Sequence, residues 1–563
     1  MPQDAFTLKF LCEELNTLFC GGKINRIIQP DNEQVILTIY TGKKTEKLLL
    51  DVNPANPRVG VTEDDFDSPL TAPNFCMLLR KHLLSATIEH ISIVGFDRIV
   101  KIDILPSNEL FDSTKKVLYI ELMGRYSNII LTENGKVLGG NRGVNFFDNG
   151  VRPLIVNREY LFPPVYDKKH PTDEKLIEVF NDESEKPHKL ILENVQGISQ
   201  STALEIENKY NQEKCQNFSG ERLFETLNDF IYKREKNPCV LLENGCVKDV
   251  FAFQYKTVLG EYKYFPKLYL AEEFYFKNKL ILKKTRELKN RLFSVVNASL
   301  KKTKKKLVAI MSRYNEAENA EQNRIKGELI LSNIYKLKGG EEKVVLQNYY
   351  TQTDEEIILN PNLSPSKNAE NYYKKYNKQK RALSMLETQL QGVREEENYL
   401  ESLMSEITLA TSLEDLKLVK EELIEAGLIK EKNITGKKKK EVNEYREYCY
   451  LGYTIRVGRN NLENDKLTLS AKKGDIWLHS KNYHSSHVVI ESNGGEVPQK
   501  VILVASEICA YYSKARDGGK SEVVFTLKKN VKKPSKSKPG FFTYNEYNSI
   551  LVSPNSWKEY LNN

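Results

Sequence analysis

The sequence predicts an α+β multidomain protein with two small α+β domains, a helix-hairpin-helix module and a long antiparallel coiled-coil arm. Three observations predict it. A chain of 563 residues holds roughly three to five folding units of about 100–200 residues each. Short β-branched runs gather near its two ends. The stretch between them instead carries apolar residues at helical and heptad spacing among many charges.

The first regime runs to about Pro164. Lys23–Gln29, Gln34–Tyr40, Lys47–Val52, Thr87–Gly95, Ile99–Leu105, Lys116–Leu122 and Asn128–Thr132 read as strands, and Phe6–Leu18 and Asn74–Leu84 as helices. They make a compact α+β domain with an antiparallel sheet, assigned to residues 1–167. Residues 168–236 turn helical and polar. There Val195-Gln196-Gly197-Ile198-Ser199 leads into a helical Ser201–Tyr210. A glycine turn followed by a capping serine is the layout of a helix-hairpin-helix that offers backbone N–H groups to a phosphate, and equally of an ordinary helix pair. A β segment at 237–276 follows.

Residues 277–428 form the arm. Leu383, Leu386, Leu390, Val393, Glu397, Leu400, Met404 and Ile407 step by threes and fours, and Leu292, Val296, Leu300, Thr303, Leu307 and Ile310 supply the facing stripe. A β-like insert around Lys343–Asn360 separates the two helices, which favours an intramolecular hairpin over a dimer. At 1.5 Å per residue, some 50 residues project about 75 Å. Lys301, Lys302, Lys304, Lys305 and Lys306 add a charge run.

Residues 429–445 read as a basic linker, with Lys430-Glu431-Lys432 and Lys437–Lys440. Residues 446–555 form the second α+β domain, with strands at Tyr448–Val457, Lys466–Ser470, Ile476–His479, His487–Glu491 and Ser521–Leu527 and a helix at Lys500–Lys514. Its tail, Lys528, Lys529, Lys532, Lys533, Lys536 and Lys538 threaded with prolines, is the densest basic patch of the chain. Such a patch neutralises several phosphates at once. Arg456, Arg459, Trp477, His479 and His487 add donors and a stacking surface suited to looped RNA, with a place in the core as an equal alternative for Trp477.

Composition excludes several classes. Lys+Arg 84 against Asp+Glu 76 leaves +8, so affinity for a polyanion must come from local charge. No apolar run approaches the ~18 residues of a membrane span, and Met1–Thr7 lacks a secretory character, so a cytoplasmic location is expected. Eight cysteines at 12, 20, 76, 215, 239, 246, 449 and 509 form no zinc spacing and read as free thiols. Nucleophile-elbow, zinc-protease and Walker signatures are absent. His479, His484 and His487 lack a completing carboxylate or cysteine, so neither metal nor cofactor is expected. Pro2 as a mature amino terminus would suit a DNA glycosylase/lyase, but Gln3 stands where those enzymes carry glutamate.

Ordered along nearly the whole chain are Gly21-Gly22-Lys23-Ile24 with Gln29-Pro30, Asn74–His82, Asp97-Arg98-Ile99-Val100, and Glu121-Leu122-Met123-Gly124-Arg125. They continue with Lys326-Gly327-Glu328-Leu329, Asn348-Tyr349-Tyr350, Gly458-Arg459-Asn460-Asn461, Asp475–His479, Ser486–Ile490, Tyr511–Arg516 and Val531–Pro534. In these motifs the chain resembles the NFACT family, and its length fits the bacterial branch. The resemblance implies a non-enzymatic factor that binds a stalled large ribosomal subunit with peptidyl-tRNA, contacts rRNA and recruits alanine tRNA to extend the nascent chain with alanine. A monomer on the ribosome, with no membrane contact, is expected.

By the same resemblance Asp97 and Arg98 are the tRNA-recognition pair, with Glu121, Arg125, Arg80 and Lys81 beside them, each of which also suits structural pairing. Arg456, Arg459, Asn460, Trp477, His479, His487, Lys528, Lys529, Lys532 and Lys533 face ribosomal RNA. Asn482-Tyr483-His484-Ser485 replaces the family's Asp-x-Pro-Gly before Ser486-His487, which changes the turn there. An older label of the family leaves a fibronectin-binding adhesin as a rival.

Overall fold

The computed structural model describes residues 3–106, 114–142, 152, 154–163, 167–212, 219–430, 445–492 and 494–561. Pro2, Cys215, Glu431-Lys432 and Lys437–Lys440 lie outside them. The chain divides into two compact units, Met1–Leu280 and Ile281–Asn563. No helix among the described residues is long and apolar enough to cross a membrane.

The first unit opens with helix α1 (Ala5–Phe19) and then builds nine antiparallel strands. These are β1 (Lys23–Ile28), β2 (Gln34–Tyr40), β3 (Thr45–Asp51), β4 (Arg58–Val61), β5 (Thr87–Ile93), β6 (Ile99–Leu105), β7 (Lys116–Glu121), β8 (Asn128–Glu133) and β9 (Lys136–Gly140). Helix α2 (Asn74–Leu83) interrupts them between β4 and β5. The sheet order is β4-β3-β2-β1-β5-β6-β7-β8-β9. Apart from the β1/β5 junction, sequence neighbours are sheet neighbours, as short hairpin connections dictate. The two strands that propensity does not flag, β4 and β9, are short and contain glycine.

Four helices follow, α3 (Lys175–Phe180), α4 (Pro187–Asn194), α5 (Gln200–Gln212) and α6 (Gly220–Tyr232), then a three-stranded sheet of β10 (Cys239–Glu243), β11 (Cys246–Phe251) and β12 (Glu261–Tyr264). One continuous core joins all of these. Phe6, Leu11 and Leu15 of α1, Phe75 and Leu79 of α2, Ile206 of α5, Phe230 of α6 and Tyr275 of the next helix share it. Phe6 touches Phe230 and Phe253 at ring-centroid distances of 5.4 and 5.8 Å.

Helix α7 (Leu268–Glu318) carries the chain into the second unit, where α8 (Ala320–Ser332), the hairpin β13 (Lys343–Asn348) and β14 (Thr353–Ile358), α9 (Pro365–Leu409) and α10 (Leu413–Glu425) complete a helical arm. The 51 residues of α7 rise about 75 Å. Leu292 and Val296 meet Tyr399, Leu400, Leu403 and Ile407, while Ile310 meets Leu390 and Val393, so α7 and α9 run antiparallel. Leu403 is fully buried alongside the heptad positions because α10 covers that side with Leu416, Val419 and Leu423.

The remaining residues form an antiparallel sheet of β15 (Arg446–Tyr450), β16 (Tyr453–Val457), β17 (Ile476–Ser480), β18 (Val488–Ile490), β19 (Ser521–Leu527) and β22 (Asn548–Val552), in the order β15-β16-β18-β17-β19-β22. The pair β20 (Val531–Lys532) and β21 (Thr543–Tyr544) lies between β19 and β22 in sequence. Helices α11 (Asn461–Ser470), α12 (Gln499–Tyr511) and α13 (Trp557–Leu561) complete the unit. Residues 448–457 form two strands rather than one, because Leu451 and Gly452 take left-handed φ of 48° and 79° and turn the chain into a hairpin. Lys466–Ser470 is helical, not extended. Asn460 caps the turn by accepting from Glu463 N at 2.9 Å, and Asn464, Leu467 and Thr468 bury one helical face.

Gly197 adopts φ +73°, and a Cβ there would overlap Phe96 O and Ala5 Cβ. Gly197→Ala should therefore cost about 2–4 kcal/mol, combining left-handed strain with overpacking. Urea unfolding monitored by circular dichroism measures it, and an unchanged midpoint would mean that this contact is dispensable.

Candidate nucleic-acid interface

Asp97 and Arg98 occupy the tight connection between β5 and β6. Gly95 supplies a left-handed φ of 58°, Val94 N donates to Ile99 O at 2.9 Å, and Phe96 drops into the core. The Asp97 carboxylate accepts from Arg98 N at 2.7 Å and from Gln196 Nε2 at 3.3 Å. Arg98 O accepts from Leu122 N at 2.9 Å, which brings the turn beside the Met123–Ser127 loop at the same end of the sheet. Burial draws the half-buried Arg98 guanidinium below its ordinary value, while the nearby Asp97 and Asp4 carboxylates oppose that effect. The result is a turn whose backbone at Arg98 is fixed from two sides, by the Asp97 carboxylate and by Leu122.

The loop Val195–Ser199 does sit beside this turn, but the seat that its backbone offered to a phosphate is already filled. Asp4 accepts from Ser199 N at 3.2 Å and from Thr202 Oγ1 at 2.9 Å, so the anion at this helix end is the chain's own.

The other residues expected near tRNA separate into two kinds. Arg125 and Lys81 are exposed, and Arg125 lies over the Tyr126 ring at 4.7 Å. Arg80 donates from Nε to Ile27 O at 3.0 Å and ties α2 to β1. Glu121 corrects the sequence reading, since its carboxylate is 2% exposed and satisfied internally. It accepts from Arg152 at 2.7 and 3.2 Å and from Tyr160 OH at 2.6 Å, because the end of β7 is roofed by the segment carrying Tyr160.

In the second unit, Trp477 takes the core alternative and His487 corrects the reading. A strand with one wet face would expose Trp477, but β17 is central and covered on both faces. Leu478 packs under α12, while Trp477 packs with Leu467 of α11, Val531 and Tyr544 and is only 1% exposed. His487 is 2% exposed, shares a 2.7 Å hydrogen bond with Thr468 Oγ1, and stands edge-on to Trp477 at 5.1 Å. Asn460 is buried too, holding α11 to α10 through Leu418 O at 3.2 Å. None of these three can stack on or donate to RNA from its position here.

What remains on the surface is cationic. Arg456 lies between Glu447 and Glu491, and Arg459 is forked onto Glu463 at 2.9 and 3.0 Å. Lys533 pairs with Asp465. Lys528 is half-buried, with its backbone N bonded to Asp475 O at 2.8 Å, and Lys529 and Lys532 are exposed. His479 and His484 line a cavity, and burial together with His484 pushes His479 down to about 4. The altered connection Asn482–Ser485 is closed by other bonds, with Ser480 N donating to Ser485 Oγ at 3.0 Å and Lys514 N to His484 O at 3.2 Å.

A nine-stranded sheet with a helical subdomain, a long helical arm and a small mixed domain with a lysine-bearing edge define the class, a multidomain, arm-bearing α+β protein. The chain belongs to the NFACT family: residues 4–442 match the NFACT N-terminal and middle domains, and residues 445–546 match the NFACT protein RNA binding domain. It is similar to the Rqc2 homolog RqcH of Bacillus subtilis, 34% identical over 567 residues covering 97% of each chain. The Rqc2 homolog RqcH of Streptococcus suis is 33% identical over 561 residues, covering 98% of each. A solved N-terminal part of the fibronectin/fibrinogen-binding protein from Streptococcus suis is 29% identical, covers 49% of this chain and 98% of its own, and superimposes with a TM-score of 0.43.

Two measurements check these placements. Glu121→Ala strands a buried arginine and should cost about 3–5 kcal/mol in chemical unfolding; a stability loss under ~1 kcal/mol would return Glu121 to the surface. The lowered His479 pKa favours the neutral ring in the folded state. Its contribution to stability is therefore complete above the unfolded value of 6.5 and lost as pH falls toward about 4, on the order of 3 kcal/mol in total. His479→Gln should flatten that acid limb, and an NMR titration of the ring above pH 6 would contradict it.

Proposed function

We propose that this chain is a ribosome-associated quality-control factor. It binds stalled large ribosomal subunits that carry peptidyl-tRNA and recruits alanyl-tRNA, so that the nascent chain grows a template-free C-terminal alanine tail and is degraded. The observation that carries this reading is the full-length likeness to two Rqc2 homologs, together with the RNA-binding family match over residues 445–546.

In this reading the factor works in the cytoplasm as a monomer on the ribosome. It contributes positioning, and the ribosome's own RNA makes the peptide bonds. The work divides among residues 1–167 with 237–276, a helix-hairpin-helix module at 168–236, a coiled-coil arm at 277–428, a basic linker at 429–445 and an RNA-binding domain at 446–555.

Asp97 and Arg98 read the tRNA. Arg98, carried on a turn whose backbone is held by hydrogen bonds, forks its guanidinium onto a phosphate or a purine edge. Arg125, Lys81 and Arg80 supply charge around it. Lys528, Lys529, Lys532 and Lys533, with Arg456 and Arg459, meet ribosomal RNA, and the paired ones must exchange their carboxylates for phosphates. Salt should therefore weaken the complex steeply.

Tagged protein pulled from cells at moderate salt, followed by sequencing of bound RNA, tests the reading. Wild type should enrich large-subunit RNA and alanine tRNA. Asp97→Ala/Arg98→Ala should lose the tRNA at least tenfold, keep the large-subunit RNA, and melt within a few degrees of wild type. Enrichment of neither RNA would sink the function, and loss of both together would sink the assignment of the pair.

A further inference from the structure

A cavity of about 400 Å³ lies inside the second unit, lined by the C-terminal part of α9, the start of α11, the β17–β18 connection and the loop Pro534–Phe541. Its volume is in the range of small-ligand sites. The loop that walls it is built rather than draped. One carboxylate, Asp465, holds both of its ends, taking Lys533 Nζ at one and Gly540 N at 2.9 Å at the other. Gly540 sits at φ +79° directly against Asn461, where a Cβ would overlap the Asn461 amide, and Lys536 holds a left-handed φ of 63° between the two anchors. Asn461 in turn donates to Ser402 Oγ and Glu422 Oε1, both at 3.0 Å.

The lining combines three chemistries. Tyr399, Tyr512 and Phe541 give aromatic faces, and His479 and His484 stand among them, both held toward the neutral form by burial. Arg446 and Arg459 reach the wall already neutralised, by Asp415 at 2.6 Å and by Glu463. Lys536 and Lys538 are exposed and have no carboxylate partner among the described residues, and Lys538 rests 5.6 Å from the Tyr399 ring. Two oxygens of lining residues, Glu406 Oε2 and Ser537 Oγ, are shielded from water with no hydrogen-bond partner among the described residues. A buried polar atom left in that state is costly unless something fills it.

We propose that this cavity seats one unpaired nucleotide, its base against the aromatic wall and its phosphate on Lys536 and Lys538. Stacking on aromatic faces is how unpaired bases are held, and unpaired lysines are what a phosphate needs. The lining does not select among bases, since Ser537 Oγ both donates and accepts and burial beside Glu422 raises the Glu406 carboxyl toward its protonated form. The proposal rests on the RNA-binding reading and sharpens it. The nucleotide is either part of an RNA strand or free.

Fluorescence anisotropy of labelled hexa-adenylate, hexacytidylate and hexauridylate on the full chain tests it, with AMP as competitor. All three strands should bind within about threefold of one another. Their affinity should fall at least tenfold in Lys536→Ala/Lys538→Ala, and also in Ser535→Trp, which fills the cavity from an exposed loop position; unchanged melting certifies both variants. Competition by AMP at the concentration where the A strand competes would identify a free nucleotide, and competition by strands alone would identify RNA. Strand affinity unaltered in the variants while large-subunit RNA still binds overturns the cavity and leaves the RNA-binding reading standing. Failure to bind any RNA overturns both.

Discussion

The first unit depends on one carboxylate near the start of the described chain. Asp4 caps α1 by accepting from Thr7 N at 2.8 Å and, with its other oxygen, holds Ser199 and Thr202 at the start of α5. A single acidic side chain thus satisfies orphan donors at two helix ends that are 195 residues apart in sequence. The joint is sealed by Ala5 N donating to Gly197 O at 3.0 Å, and Gly197 is pressed against Phe96. Phe96 is the residue before Asp97. The orientation of the Asp97–Arg98 turn is therefore inherited from packing beneath it, and Gln196 adds a hydrogen bond from the same loop. Substitutions at this joint would act on the turn without touching any ligand.

The second unit repeats the principle with different residues. Glu422 of α10 is fully buried, accepts from Tyr399 OH and Asn461 Nδ2 at 3.0 Å, and burial raises it to about 7. It links arm helices to α11, and Asp465 of the same short helix pins the lysine loop. The arm's base and the basic edge are in this way parts of one hydrogen-bonded assembly. Buried carboxylates of this kind add little net stability but make wrong packings expensive, because any alternative leaves them unpaired.

Much of the fold was legible because the relevant signals are local. β-branched runs located seven strands of the first sheet, and the heptad stripe located the α7–α9 seam, including Leu292, Val296, Leu390, Leu400 and Ile407. Misreadings occurred where tertiary context overrides local preference. Lys466–Ser470 has strand-like residues but follows the capping Asn460, and Tyr448–Val457 hides a turn at Leu451-Gly452. At the candidate sites, the Asp97–Arg98 pair was legible as a motif. The burial of His487, Asn460 and Glu121 was not, because it depends on what distant segments pack over them, and Trp477 read equally as core or surface, since a five-residue strand does not tell a sheet covered on both faces from a half-wet one.

Ion pairing divides the basic residues more sharply than their positions in sequence do. Arg456, Arg459, Lys533 and Lys304 all have carboxylates within salt-bridge distance, so each must break a contact before it can hold a phosphate. Lys529, Lys532, Lys536 and Lys538 have no such carboxylate among the described residues, and they lie within ten residues of sequence. With a net charge of only +8 spread over 563 residues, nonspecific attraction is weak, and unpaired local clusters decide where a polyanion lands. The run Lys301–Lys306 follows the same rule: Lys304 is spent on Glu397 and Glu401, while the others project from an arm whose inner face is apolar. Charge that looks uniform along the sequence is thus partitioned by the fold into structural and available fractions, and the available fraction includes both the outer face of Lys301–Lys306 and a group of lysines within the segment that the RNA-binding family match covers.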